Sequence, residues 1–308
     1  MTPQKLIGLV KIAVAATAAS FGLAHSLPAA DATLDTARIT AITGLNGTLN
    51  AAEGDYKVSK PRTDVPIQVD GWTMPPFMGV TSWAAFKPAM PGQVMVMGDL
   101  VLFEDEVNAV MSAALDHGLE VTALHNHFFY SDPAVYFMHI GGMGPLETMA
   151  GGVKAALDAS AKVRAAKAQP AKTFGDAALP ATSAVPADAL DAVFGAKGTR
   201  NSGMEKFVFG RTVTMMGGVT AAGDMGVNTW AAFAGTADNA LVDGDFVCKE
   251  TELQKVLQTL RSRGINIVAI HSHMIEETPR MIFLHYWGRG QAADLAKAVK
   301  AALDTQSK

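Results

Sequence analysis

Residues 119–141 read LEVTALHNHFFYSDPAVYFMHIG, and residues 265–287 read INIVAIHSHMIEETPRMIFLHYW. Each stretch reads as strand, turn, strand. Leu119 to Phe129 is rich in strand-forming residues, Ser131-Asp132-Pro133 is turn chemistry, and Ala134 to Gly141 returns as a second strand. Three histidines recur at one spacing: His125, His127 and His139 in the first copy, and His271, His273 and His285 in the second. The two other histidines, His25 and His117, have no counterparts.

Working outward, residues 98–158 align without a gap to residues 244–304, with 22 of 61 positions identical. Against that background of about one in three, retention of all three histidines marks a group kept together. Other matched pairs are Gly98/Gly244, Asp99/Asp245, Glu104/Glu250, Glu106/Glu252, Gly118/Gly264 and Pro133/Pro279. Upstream, Trp83-Ala84-Ala85-Phe86 matches Trp230-Ala231-Ala232-Phe233, preceded by the hydroxyls Ser82 and Thr229. The repeat is domain-sized, which indicates duplication rather than a solenoid.

Within a copy, Val94–Met97 and Leu100–Leu102 read as strand, and Glu104–His117 as a helix. The helix buries Val107, Val110, Met111 and Ala114, matched by Leu253, Val256, Leu257 and Leu260. Gly118 and Gly264 stand where a C-terminal cap glycine belongs. A last helix is expected from Pro145 to Ala159, and an extra strand at Trp83. The order β-α-β-β-α predicts an α+β protein of two tandem homologous repeats, each an antiparallel sheet with helices on one face. The expected division is 1–32 signal peptide, 33–158 first repeat, 159–187 Ala/Pro-rich linker and 188–308 second repeat. The first part of that linker can extend the preceding helix.

Lys5 and Lys11, then the apolar run Ile12 to Ala24, have the form of a secretory signal, with Ala30-Asp31-Ala32 or Ala24-His25-Ser26 as the cleavage site. The run is shorter than the roughly 20 residues a membrane span needs. Cleavage after Ala32 removes two lysines and one aspartate and takes the formal charge from −4 to −5. The lone Cys248 excludes an internal disulfide, and its alignment with Leu102 gives it the role of a small core residue. A cysteine-poor exported chain fits the bacterial periplasm or cell exterior. Charged residues are 18% of the chain and no basic field points to nucleic acid. No transmembrane segment is expected after signal cleavage, and the expected partner is an unknown small molecule or envelope component.

Alternation puts His125 and His127 on one strand face. A hairpin centred on Asp132 sets His139 directly across from His125, and one centred on Thr278 sets His285 across from His271. Three converging imidazoles fit Zn with an open position, or Cu, as the bound metal in each repeat. Candidate carboxylates are Asp99, Asp245, Glu104 and Glu250, although acidic residues in a first helical turn are also favoured by the helix dipole. Methionines such as Met95, Met97 and Met111 read as core, and Trp83 and Trp230 as packed under the sheet. The rival readings are a metal-independent hydrolase or phosphoesterase sharing acid and base between paired His-x-His motifs in one cleft, and a non-enzymatic envelope ligand-binding module. Phosphate-binding loop, nucleophile-elbow and zincin motifs are absent from the sequence.

The tandem Trp-Ala-Ala-Phe segment with His-x-His and a distal histidine resembles the LppY/LpqO family of secreted bacterial proteins of unknown function. The resemblance spans residues 34–308 and rests on Trp83, His125, His127, His139, Trp230, His271, His273 and His285. It implies export and a duplicated domain, and supplies no activity. This chain departs from the family's lipoprotein label, since no cysteine follows its signal.

Overall fold

The computed structural model describes residues 33–307; the expected signal segment lies outside them. The protein is α+β with a duplicated domain, and the strands of both copies join in one twelve-stranded antiparallel sheet. The first copy contributes β1 (Gly47–Asn50), β2 (Asp55–Pro61), β3 (Thr81–Pro88), β4 (Val94–Phe103), β5 (Glu120–His125) and β6 (Val135–Gly144). The second contributes β7 (Thr199–Asn201), β8 (Met204–Gly210), β9 (Asn228–Gly235), β10 (Ala240–Lys249), β11 (Asn266–His271) and β12 (Met281–Gly290). Across the sheet the order is β1-β2-β3-β4-β6-β5-β11-β12-β10-β9-β8-β7. The halves meet where Leu124 on β5 pairs with Ile270 on β11. These two residues are the same position of the repeat. A residue paired antiparallel with its own counterpart is the signature of a two-fold axis through the sheet.

Helices α1 (Thr36–Thr43), α2 (Glu104–Asp116), α3 (Leu146–Ala166), α4 (Ala187–Phe194), α5 (Leu253–Ser262) and α6 (Ala292–Leu303) all bury apolar residues in one core on one sheet face. The apolar stripes read from the sequence supply it, with Val110, Met111, Ala114, Val256, Leu257 and Leu260 fully buried. Gly118 and Gly264 adopt φ of 82° and 78° just past the helix ends, where a side chain would be strained. Cys248 is buried in this core, and burial pushes its thiol up to about 12. Helix α3 takes up the first part of the Ala/Pro segment. Beyond it, Ala177 and Ala178 accept hydrogen bonds from Arg289 and Asn239 of the second copy. Among the described residues no helix is long and apolar enough to cross a membrane.

The two copies are fastened by a reciprocal device. Strand β5 bulges between Val121 and Ala123, and β11 between Ile267 and Ala269. A bulge withdraws backbone groups from the ladder. Asn108 on α2 accepts from Ile267 N at 2.8 Å and donates to Ile267 O at 3.2 Å. Gln254 on α5 accepts from Val121 N at 3.0 Å and donates to Val121 O at 2.9 Å. Asn108 and Gln254 are repeat counterparts, so each copy's helix satisfies the other's bulge. Gln254→Leu strands both groups and is expected to cost about 1–3 kcal/mol in a denaturant titration. An unchanged midpoint would show that the bulge is satisfied otherwise.

On the opposite sheet face lies a thin outer layer. Val65, Ile67 and Val80 pack on Val101, Phe103, Val135 and Phe137 in the first copy. Val213, Ala221 and Val227 pack on Val247, Met281 and Phe283 in the second. In the first copy, Gln68–Val69 pairs with Ser131–Asp132, which draws the hairpin loop into this layer.

Candidate metal centre

Both histidine sets stand on the outer face, beside the thin layer. The hairpin register differs from the expected one. His125 pairs with Phe137 and His139 with Ala123; His271 pairs with Phe283 and His285 with Ala269. The shift is two residues, because β5 ends at His125 and the chain from Asn126 to Ala134 forms a longer loop tied to Gln68–Val69. An even shift keeps the face. His139 is therefore a diagonal neighbour of His125, with ring centroids 5.2 Å apart and nearly parallel planes. The His271 and His285 centroids are 4.7 Å apart.

His127 and His273 lie beyond the strand ends. Each is aimed by an aromatic platform: His127 stacks on Phe137 at 3.4 Å and His273 on Phe283 at 3.6 Å. Each then closes on the first histidine of its set, with centroids 5.1 Å apart in both copies. His125 Nε2 and His127 Nε2 are 3.2 Å apart. Phe137 and Phe283 are neighbours of the histidines that the sequence reading missed, although their identity in the repeat alignment was an available signal.

The next strand brings a carboxylate to each set. Asp99 on β4 pairs with His139, and Asp245 on β10 with His285. Both aspartates are buried, and each has an Oδ1 without a hydrogen-bond partner. In the second copy, ligand atoms of Asp245, His271 and His285 lie within 4.8 Å of one another. The His271 Nε2 is also buried and unpaired. His273 Nε2 is 3.1 Å from the other Asp245 oxygen, while its Nδ1 is 3.2 Å from Gly226 O. His273 thereby links the Asp245 carboxylate to the Gly226 backbone.

The other carboxylate candidates stand elsewhere. Glu104 is exposed at the start of α2, beside Tyr136 on the helix side, and it contributes to raising that phenol after burial does. Glu250 is exposed at the head of the short turn Glu250–Glu252 before α5. Their recurrence reflects the acidic start of a helix. Met97 also departs from expectation, being 59% exposed on the outer face, whereas Met111 is core. Trp83 and Trp230 are on the histidine face, paired with Asp99 and Asp245, and each is covered by a lysine ammonium, Lys57 or Lys206. His117 is the α2 cap and its ring bonds Ala113 O. Ser82 and Thr229 accept from Val101 N and Val247 N, which places those hydroxyls in structural roles.

Burial lowers the pKa of His125, reinforced by His127 and His139 and opposed by Asp99. Burial likewise lowers those of His127 and His271. Asp245 is raised by burial against the pull of His285, His273 and His271. A histidine with a folded pKa below its unfolded value of about 6.5 binds fewer protons when folded, so its contribution is lost as pH falls through that value. The raised Asp245 acts with opposite sign in a window beginning near 3.9. Metal-free protein is thus expected to melt lower at pH 5.5 than at pH 7.5, with a shallower slope in His125→Ala/His271→Ala. Equal slopes would assign the pH dependence to other groups.

Fold and site together define an α+β protein of two repeats that carries two histidine–carboxylate clusters on one sheet face. The chain belongs to the family described as Domain of Unknown Function (DUF1259), whose profile matches residues 37–159 and again 188–305. No curated protein matches the sequence. Among solved structures it is similar to PduB, a trimeric bacterial microcompartment shell protein. The identity is 12%, with 84% of this chain and 89% of that one covered and a TM-score of 0.20. A likeness that loose carries no argument about this chain.

Proposed function

We propose that this is an exported protein that binds divalent metal, Zn first and Cu second, through one histidine cluster in each repeat. The observation that carries the reading is the pair of buried, unpaired polar atoms, Asp245 Oδ1 and His271 Nε2, in one compact group with His285. A buried polar atom without a partner costs about 1–3 kcal/mol, and a cation between these groups removes that cost. Imidazoles and a carboxylate are the N and O donors that Zn takes in sites with an open position. Asp99, His125 and His139 form the counterpart set. Export rests on the signal-like sequence of residues 1–32, and the LppY/LpqO resemblance accords with it.

A metal-independent hydrolase would need the two clusters to share one bond. Their centres stand three strand spacings apart, roughly 14 Å, so only His125 and His271, diagonal neighbours across the β5–β11 seam, could share one bond. Capture of a ligand at the metal, without catalysis, uses the same groups and agrees with the geometry.

Metal content measured after equilibration with Zn and removal of excess tests the reading. Two ions per chain are expected for the parent protein, and fewer in His125→Ala/His271→Ala. Stoichiometry unchanged in that double variant would remove the histidines from the account.

A further inference from the structure

The two clusters belong to one continuous surface. The register fixes how they are placed. Because Leu124 pairs with Ile270, Ala123 stands beside His271, and His125 beside Ala269. One transverse row of the outer face then runs Asp99, His139, Ala123, His271, Phe283. The row next to it runs Phe137, His125, Ala269, His285, Asp245. The rows are related by the two-fold axis. Around the axis, Ala123 and Ala269 stand on one diagonal and His125 and His271 on the other, all four half-buried. The result is a strip with Ala123 and Ala269 at its middle, flanked by His125 and His271, and with Asp99 and Asp245 at its two ends.

With strands about 4.8 Å apart, the centres of the two clusters are separated by three spacings, roughly 14 Å. Two-metal centres that clamp a single reacting group hold their ions about 3.5–4 Å apart. These two sites are too distant for that chemistry. They are well placed for one elongated molecule that uses an open metal position at each end.

Resting on the metal reading above, we infer that the two repeats form a single receptor for a linear ligand with an oxyanion at each end. One terminal group binds at the Asp99, His125, His139 cluster and the other at the Asp245, His271, His285 cluster. The chain between them lies over Ala123 and Ala269. Duplication then has a chemical consequence: linking two weak metal–oxyanion contacts raises the effective concentration of the second, and affinity grows without any new contact.

The test uses full-length protein loaded with Zn, with metal content measured first. Alkane α,ω-dicarboxylates of graded length are titrated by calorimetry against the monocarboxylate of the same chain. The expected result is one dicarboxylate per chain, with an affinity optimum where the carboxylates are about 14 Å apart and at least tenfold above the monocarboxylate. Ala123→Leu and Ala269→Leu fill the middle of the strip and leave every proposed metal ligand in place; they should keep two Zn per chain and lose the length optimum. Two Zn per chain with two dicarboxylates bound at monocarboxylate affinity at every length would overturn the single-receptor inference and leave the metal reading standing. Failure to bind Zn would overturn both.

Discussion

Glu106→Ala is expected to lose about 3 kcal/mol of folding stability, the low end of the cost of breaking a buried ion pair, since each arginine keeps a second acidic partner. Glu106 is fully buried between two arginines. Arg62 Nη2 donates to it at 2.5 Å and Arg164 Nε lies 2.7 Å away. Its carboxylate also accepts from Phe103 N at 3.0 Å at the head of α2. Alanine removes this carboxylate while both guanidinium groups stay nearly buried, Arg62 with Asp64 and Val101 O and Arg164 with Asp105. Arg62 and Arg164 also lie over the Phe103 ring, so they are held in place rather than free to reach water. The repeat counterpart provides an internal control. Glu252 pairs with Arg211 at 2.7 Å, is partly exposed, and is helped by Ser307 and Lys249 N. Burial would raise its pKa, but hydrogen bonds from Arg211 and Ser307 hold it at about 2. Glu252→Ala should therefore cost less than Glu106→Ala in the same urea titration. The reverse order would show that the Arg62–Glu106–Arg164 group contributes little beyond its desolvation cost.

His271→Ala is expected to weaken Zn at the second cluster by at least about 100-fold, since outer-shell partners alone change metal affinity 10–100-fold and His271 is a proposed direct ligand. Its Nε2 is the buried nitrogen that lacks a partner, and it lies within the compact group with Asp245 and His285. The first cluster shares no residue with it, so one of the two ions should remain. Competition against a chromophoric chelator reads both sites at once: the parent shows two, and the variant one strong site. His273→Ala separates ligand from support. His273 contacts Asp245 through Nε2 and Gly226 O through Nδ1, so its loss should leave stoichiometry at two and lower affinity only at the second site. Loss of both ions in His271→Ala would mean that the clusters do not bind independently.

The duplication, the helix faces and the convergence of the histidines were legible in the sequence because each rests on periodicity that local shifts do not disturb. His139 reaches His125 even though the hairpin pairs two residues away from the expected register, since only an odd slip changes the face. The register itself was not legible. Both hairpin loops are tied to the outer layer by segments some sixty residues upstream, Gln68–Val69 to Ser131–Asp132 and Thr214 to Thr278, contacts with no local signal. The same outer layer explains Met97. Alternation in β4 shows two faces but not how far each is covered, and Met97 falls where the layer does not reach. Asp99 and Glu104 looked alike as repeated acids. Strand parity and pairing bring Asp99 to His139, whereas Glu104 opens a helix on the other side. The fusion of both copies through Leu124 and Ile270 was hidden as well, because a pairing across a two-fold axis leaves each repeat's own pattern unchanged.

Anomalous diffraction at the zinc edge from Zn-soaked crystals tests the central claim most directly. Two peaks per chain are predicted, one within about 2.0–2.2 Å of donor atoms from His125, His139 and Asp99, the other within that range of His271, His285 and Asp245. Peaks located away from both clusters, or absent from them at saturating zinc, would contradict it.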